Sequence, residues 1–279
     1  MPEPAAWPAD RRITITDLQA ATDRGERWSM LTSYDTLTAG VFEQAGVRAL
    51  LVGDTSAEMV LGHETTVPVT MDQLVPMVQA VVRGTRTALV VADLPFGSYE
   101  AGPEVALRNA VRHLKEGGAQ AVKLEGGHRV LPQVRAMTAA GIPVMGHLGL
   151  TPQSVNTLGG VRRVQGRGAA GDQLLADARA LQDAGAFSLI LTGVPPELAT
   201  RISQDLRIPT ISGHGAGDDC DGQIGVAPSS LGWTAEQIDH PRTPYGPVSR
   251  AIYEAAAAYV ADVRAGKPVR SARERADNA

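Results

Sequence analysis

The stretch "VFEQAGVRALLVGD" (residues 41–54) holds one complete structural unit. A helical segment ends at Gly46, a residue type that tolerates the left-handed backbone of a helix C-terminus. The run Ala49-Leu50-Leu51-Val52 follows, apolar without alternation, as a parallel strand covered on both faces must be. Gly53, Asp54 and Thr55 then close the strand. The same order recurs in "VRHLKEGGAQAVKLEGG" (111–127), "VRAMTAAGIPVMGH" (134–147) and "ALQDAGAFSLILTG" (180–193). Further strands are expected in "RWSMLTSYD" (27–35), "TRTALVVADLP" (85–95), "LRIPTISGHG" (206–215) and "GQIGVAP" (222–228), which makes eight. Helices are expected between them at 36–45, 71–83, 103–116, 130–140, 171–184 and 195–205. In 103–116, Val105, Ala106, Ala110, Val111 and Leu114 share one stripe. Eight alternations of strand and helix predict an α/β protein of the (β/α)8 TIM barrel type. The alternative is an open doubly wound sheet, but no glycine-rich dinucleotide fingerprint follows the first strand. No linker composition interrupts the chain. Residues 1–279 are therefore expected to form a single barrel domain, with an N-terminal extension over about 1–12 and a charged, frayed tail over about 265–279.

Composition narrows the function classes. Hydrophobic residues make up 43% and charged residues 20% of the 279, as in ordinary globular proteins. A net charge of -4 offers no basic footprint, so no nucleic-acid partner is expected. The single cysteine, Cys220, excludes an internal disulfide and fits a reducing, cytoplasmic compartment. The opening "MPEPAAWPADRR" has an acid, three prolines and no apolar run, unlike a signal peptide. No run approaches the ~18 apolar residues of a membrane span, so no membrane partner is expected either.

In a barrel, catalytic groups come from the C-terminal ends of several strands. Strand two ends at Asp54, strand three at Asp93, and strand five at His147. On strand four, the period of two puts Lys123 and Glu125 on one face. With neighbouring strands ~4.8 Å apart, Asp54, Asp93 and Glu125 form an arc of carboxylates at one mouth. Each acid alone reads better as a helix cap or turn residue. Three on consecutive strands, beside Lys123 and His147, read better as a site. Such carboxylates repel unless a cation or protons neutralise them. An all-oxygen set suits Mg2+, which keeps waters and accepts substrate oxygens. Mg2+ beside Lys123 suits a 2-oxo acid, whose carbonyl the metal polarises.

Other motifs carry less. "DDCDGQ" (218–223) fails the register of a calcium loop, because position twelve falls on Pro228. "VQGRGAAGD" (164–172) is glycine-rich but is not a P-loop, and reads as a flap or connector. "LTPQSV" (150–155) is a helix start with Thr151 as N-cap and Pro152 at N1. Cys220 has no evident activating partner.

The segments "MLTSYD", "LLVGDTSAEMVLGHETTVPVT", "ALVVADLPFGSY", "AVKLEGG", "GIPVMGHLGLTPQSVNTLGG", "VQGRG", "VPPELA" and "GAGDDCDGQ" are similar to the ketopantoate hydroxymethyltransferase family, from about residue 12 to residue 262. The resemblance implies a (β/α)8 barrel of the phosphoenolpyruvate mutase/isocitrate lyase superfamily, assembled as a decameric homo-oligomer. It implies transfer of a hydroxymethyl group from 5,10-methylenetetrahydrofolate to 2-oxoisovalerate, giving ketopantoate for pantothenate biosynthesis. Asp54, Asp93 and Glu125 would then bind Mg2+ directly or through water. Asp54, Thr55, Asp93, Lys123 and His147 would contact the 2-oxo acid. Two departures stand out. The family carries a glutamate, its general base, where this chain has Thr192 followed by Gly193. "SGHGAG" (212–217) is one residue longer than the family segment and contains His214. A hydroxyl is far too weakly basic to take a proton from carbon unaided. Thr192 and His214 are accordingly the catalytic candidates, with His214 as a relocated base. Two other readings are a diverged Mg2+-dependent 2-oxo acid aldolase or lyase, and a non-catalytic homologue.

Overall fold

The computed structural model describes residues 7–160, 164–239 and 245–268. The chain divides into two compact units, residues up to Gly225 and residues from Val226 onward. The first six residues of the expected N-terminal extension and the tail beyond residue 268 lie outside the described residues.

The first unit holds eight parallel strands: β1 (Trp28–Thr32), β2 (Ala49–Val52), β3 (Leu89–Asp93), β4 (Ala121–Glu125), β5 (Val144–Gly149), β6 (Ser188–Thr192), β7 (Thr210–Ser212) and β8 (Gly222–Gly225). They pair in sequence order, and β8 closes on β1, with Trp28 opposite Gly222. This is the expected closed barrel. Its helices are α1 (Ile15–Asp23), α2 (Thr36–Gln44), the single turn α3 (Ser56–Met59), α4 (Met71–Gly84), α5 (Pro103–Arg112), α6 (Leu131–Ala139), the single turn α7 (Val155–Leu158), α8 (Ala169–Asp183) and α9 (Pro196–Asp205). In the second unit, α10 (Ala227–Ser230) and α11 (Val248–Arg264) are the α-helices among the described residues. No helix among them is long and apolar enough to cross a membrane.

Local chemistry sets these boundaries. Asp35 caps α2 by accepting from the Leu37 and Thr38 N–H groups at 2.8 and 2.9 Å. Thr70 and Gln73 form a capping box at the start of α4, whose Leu74, Val75, Val78 and Val81 are buried. The repeated helix–glycine–strand unit is visible in the backbone. Gly46, Gly118, Gly141 and Gly185 have φ of 91°, 81°, 82° and 94°, which a side chain strongly disfavours. One boundary differs from expectation. The helix at 103–116 is α-helical only to Arg112, and His113–Gly117 form a wider π turn.

Strand alternation sorts the core into two layers. Leu50, Val52, Val122, Leu124, Val144, Leu189 and Leu191 are buried, and the last five join α-helical residues such as Ala106, Val134, Ala178 and Ile202 outside the barrel. Trp28, Met30, Ala49, Leu51, Leu89, Val91, Ala121, Met145, Ile190 and Ile211 fill the lumen. Ile13 and the α1 residues Leu18 and Ala21 belong to this inner cluster, so α1 packs into the floor of the barrel. Two residues further along the same faces, the side chains turn polar: Thr32, Asp93, Lys123, His147 and Thr192, with Glu125 beyond Lys123.

Candidate active site

Strand register brings the polar ends together. Asp93 lies opposite Lys123, and Glu125 opposite His147. Ile190 pairs with His147, which sets Thr192 one inward position above it. Asp54 lies just past β2, where its backbone N–H donates to Asp93 Oδ2 at 3.2 Å. Lys123 Nζ sits 2.8 Å from Asp93 Oδ1 and 3.6 Å from Glu125 Oε1. These three side chains are 3%, 0% and 1% exposed, so their charges interact in a poorly screened interior.

Burial pushes the Asp93 carboxyl well above the usual range, and Asp54 and Glu125 push it further while Lys123 opposes them. Asp54 is raised as well, first by burial and then by Glu125. Burial works on Glu125 in the same direction, but Lys123, His147 and the Gln153 N–H outweigh it and hold that carboxyl below its ordinary value. Burial opposes the Lys123 charge, yet Asp93, Glu125 and Asp54 overcome it and raise the ammonium pKa. Three carboxyl groups thus share one ammonium, and when all are ionised the site holds a surplus of negative charge that protons or a cation must offset.

That surplus suits a hard cation. Among the described residues, no three His, Cys, Asp or Glu side chains converge as a closed ligand set. The acids are instead tied to Lys123, Gln153 and His147. A cation would be held by some of Asp54, Asp93 and Glu125, with waters and substrate oxygens completing its shell, as is usual for Mg2+.

Two residues that sequence reasoning missed complete the cluster. Gln153, 3% exposed, comes from the turn after β5. Its Nε2 donates to Asp54 Oδ2 at 2.9 Å and to the Leu94 carbonyl at 3.0 Å. Its backbone N–H donates to Glu125 Oε2 at 3.0 Å. Tyr99, fully buried, donates its hydroxyl hydrogen to Gln153 Oε1 at 2.6 Å. The available signal was position: Gln153 follows the strand that carries His147, within a segment read only as a helix start.

The hydroxyl groups expected at the site are present. Thr55 Oγ1 lies 2.6 Å from the Tyr34 hydroxyl, whose pKa burial pushes up to about 12. Thr192 Oγ1 lies 3.0 Å from His147 Nε2, and His147 Nδ1 lies 3.2 Å from Glu125 Oε1. With Glu125 ionised and able only to accept, Nδ1 carries the imidazole hydrogen. In that tautomer Nε2 is the acceptor, and it faces the Thr192 hydroxyl. His214 is exposed, and its backbone carbonyl accepts from the Gly193 N–H at 2.8 Å. The segments that carry Thr192 and His214 are therefore in direct contact. Gly213 is the counterpart of Thr192, since a Cβ there would collide with Thr192 Oγ1.

Two further features lie near the strand ends, and the second, a cavity, is lined by none of the cluster residues. On the outer side, His113 Nε2 lies 2.8 Å from the Asp93 carbonyl, and burial lowers its pKa to about 4, so the neutral ring donates. Beside β6, a cavity of about 590 Å3 is lined by Val164, Arg167, Val194, Glu197, Arg201 and Gly215, among others. The glycine-rich loop at 164–168 thus borders a cavity.

Comparison with known proteins identifies the family and the fold. Residues 12–268 match the family model for ketopantoate hydroxymethyltransferase. The chain is 56% identical over 256 residues to the 3-methyl-2-oxobutanoate hydroxymethyltransferase of Rhodococcus jostii, covering 92% of this chain and 88% of that protein. It is 53% identical over 268 residues to that of Thermobifida fusca, covering 95% of each. Among solved structures, the fold is shared with 2,3-dimethylmalate lyase, a PEP mutase/isocitrate lyase superfamily member, at a TM-score of 0.59 and 19% identity, over 93% of this chain and 91% of that one. It is also shared with phosphonopyruvate hydrolase, solved with oxalate and Mg2+, at a TM-score of 0.61 and 15% identity, over 95% and 94%. The chain belongs to the ketopantoate hydroxymethyltransferase family, a family of hydroxymethyltransferase enzymes.

Proposed function

We propose that this protein transfers a hydroxymethyl group from 5,10-methylenetetrahydrofolate to 2-oxoisovalerate, giving ketopantoate, with Mg2+ as cofactor. The observation that carries this reading is the buried Asp54–Asp93–Lys123–Glu125 cluster at the C-terminal mouth of the barrel. Mg2+, when bound by Asp54, Asp93 and Glu125, supplies polarisation of the acceptor's 2-oxo group. Lys123, held protonated by its carboxylates, and the Thr55 hydroxyl bind the acceptor carboxylate.

The proton on that carbon needs an acceptor, and Thr192 cannot be it. His147 is the basic group at this strand end. Its Nδ1–H is anchored on Glu125, which turns the Nε2 lone pair toward Thr192. We assign the proton to His147 Nε2, with Thr192 positioning it, in preference to His214 at the exposed rim. For the atoms to balance, one water displaces both folate nitrogens from the methylene carbon, releasing tetrahydrofolate and a one-carbon carbonyl. The deprotonated acceptor carbon adds to that carbonyl, and its oxygen takes up a proton to become the hydroxymethyl group. The deciding experiment is a Mg2+-dependent assay with 2-oxoisovalerate and methylenetetrahydrofolate, run on wild type, His147→Gln, His214→Ala and Thr192→Glu. Turnover that survives His147→Gln but not His214→Ala would move the base to His214.

One observation favours a second reading. A Cβ at Gly213 would collide with Thr192 Oγ1, so these two positions together set the shape of one wall at this strand end. A different 2-oxo acid or one-carbon donor would fit that wall. A screen of 2-oxo acids would show it as faster turnover of another acceptor than of 2-oxoisovalerate.

A further inference from the structure

We infer that Gln153, set in place by Tyr99, is a positioning residue that orients Asp54 for the metal. The inference rests on the Mg2+ site proposed above. The Gln153 side chain uses both ends of its amide. Nε2 spans Asp54 Oδ2 and the Leu94 carbonyl, and Oε1 accepts from the Tyr99 hydroxyl. The two acceptors fix which end of the amide faces Asp54, because only the NH2 end can donate to a carboxylate and a carbonyl. The Tyr99 hydroxyl, which also lies 3.2 Å from the Glu125 carbonyl, holds the other end. One Asp54 oxygen is committed to the amide, and the carboxylate cannot rotate without breaking that bond. Asp54 sits just past the end of β2, so strand pairing does not hold it as it holds Asp93, Lys123 and Glu125. The amide of Gln153 supplies the missing constraint, reaching across from the loop after β5 and linking to the end of β3 through Leu94.

The backbone N–H of Gln153 also holds Glu125 Oε2, and this bond does not depend on the side chain. Replacing the side chain therefore separates the two acids. Gln153→Leu frees Asp54 while Glu125 keeps its partner. Tyr99→Phe keeps the amide and its bond to Asp54 but removes the hydroxyl that holds Gln153 Oε1 and also meets the Glu125 backbone.

The test is the Mg2+ dissociation constant of the full-length protein, measured by calorimetry with no substrate present. Thermal unfolding and the Mg2+ dependence of turnover are followed on the same samples. Partners of metal ligands typically contribute about 10–100-fold in metal affinity. We expect a loss in that range for Gln153→Leu and a smaller loss for Tyr99→Phe, with wild-type melting temperatures and turnover that recovers as Mg2+ is raised. Mg2+ affinity that is unchanged or tighter in a folded Gln153→Leu overturns the inference. If that variant does not fold, the same criterion applies to Tyr99→Phe. Wild-type protein that binds no Mg2+ overturns the proposed metal site itself, a result distinct from equal binding by wild type and variants.

Discussion

His147 lies between an acid and a hydroxyl, and each neighbour constrains it differently. Glu125 fixes its tautomer, and Thr192 marks the direction of its free lone pair. Removing a positioned general base typically costs about 10²–10⁴ in rate. His147→Gln should lower kcat within that range, while His214→Ala should leave it near wild type. Steady-state kinetics at saturating acceptor compares the two. Lys123 carries a different load. Lys123→Met would leave three buried carboxyl groups with no counter-charge. Breaking a buried ion pair costs about 3–5 kcal/mol, so the variant should unfold at markedly lower denaturant. His113 gives the site a pH signature in stability. Burial lowers its folded pKa to about 4, against 6.5 for the ordinary imidazole. Between these values the unfolded chain binds a proton that the folded chain does not. The contribution of His113 is thus complete above pH 6.5 and is lost as pH falls toward 4. At about 1.4 kcal/mol per pH unit, the loss is roughly 3 kcal/mol. His113→Gln, which keeps a donor for the Asp93 carbonyl, should flatten this part of the stability curve in chemical unfolding at pH 4–7.

At the scale of elements, the repeated helix–glycine–strand unit made the barrel legible. Glycine punctuation and unbroken apolar runs are local signals, and both are read directly from the residues. The strand-end acids were legible too, because period-two alternation fixes which residues of β4 share a face. Two things were hidden. The helix α1 is short, and its inward residues Leu18 and Ala21 make no long periodic stripe, so its place in the barrel floor comes from tertiary packing. Gln153 was hidden because a neutral amide has no charge pattern, and its importance arises from partners 28 to 99 residues away. Leu18→Ala should cost about 2–5 kcal/mol, as a large-to-small change in a packed core, while leaving the site's metal affinity intact. The facing ends of β6 and β7 offer a sharper test. Gly213→Ala forces its Cβ into Thr192 and should destabilise the protein, and the cost should shrink in a Thr192→Ala background. Additive costs in that double-mutant cycle would show that the two strand ends are not coupled.

Across the whole molecule, the barrel is shared with lyases, hydrolases and mutases at 13–19% identity, and a fold shared so widely says nothing by itself about chemistry. What distinguishes this chain is the set of side chains hung on that frame. The family resemblance also implies an assembly larger than one chain. We propose a homo-oligomer, and sedimentation should give a decamer, with a single monomeric species counting against it. The lumen has an apolar floor, from Trp28 to Ile211, and a polar ceiling, from Thr32 to Thr192. The floor fixes strand register and barrel closure, and the ceiling only receives their geometry. Substitutions in the two layers therefore carry different penalties. A change in the floor endangers folding, whereas a change at one ceiling position is felt mainly by its immediate neighbours. New activities are reachable from such a frame one strand end at a time, with a folded protein at every step. Thr192 is a position of this kind: its hydroxyl meets His147 and faces Gly213, at one strand end beside the Asp54–Asp93–Glu125 set.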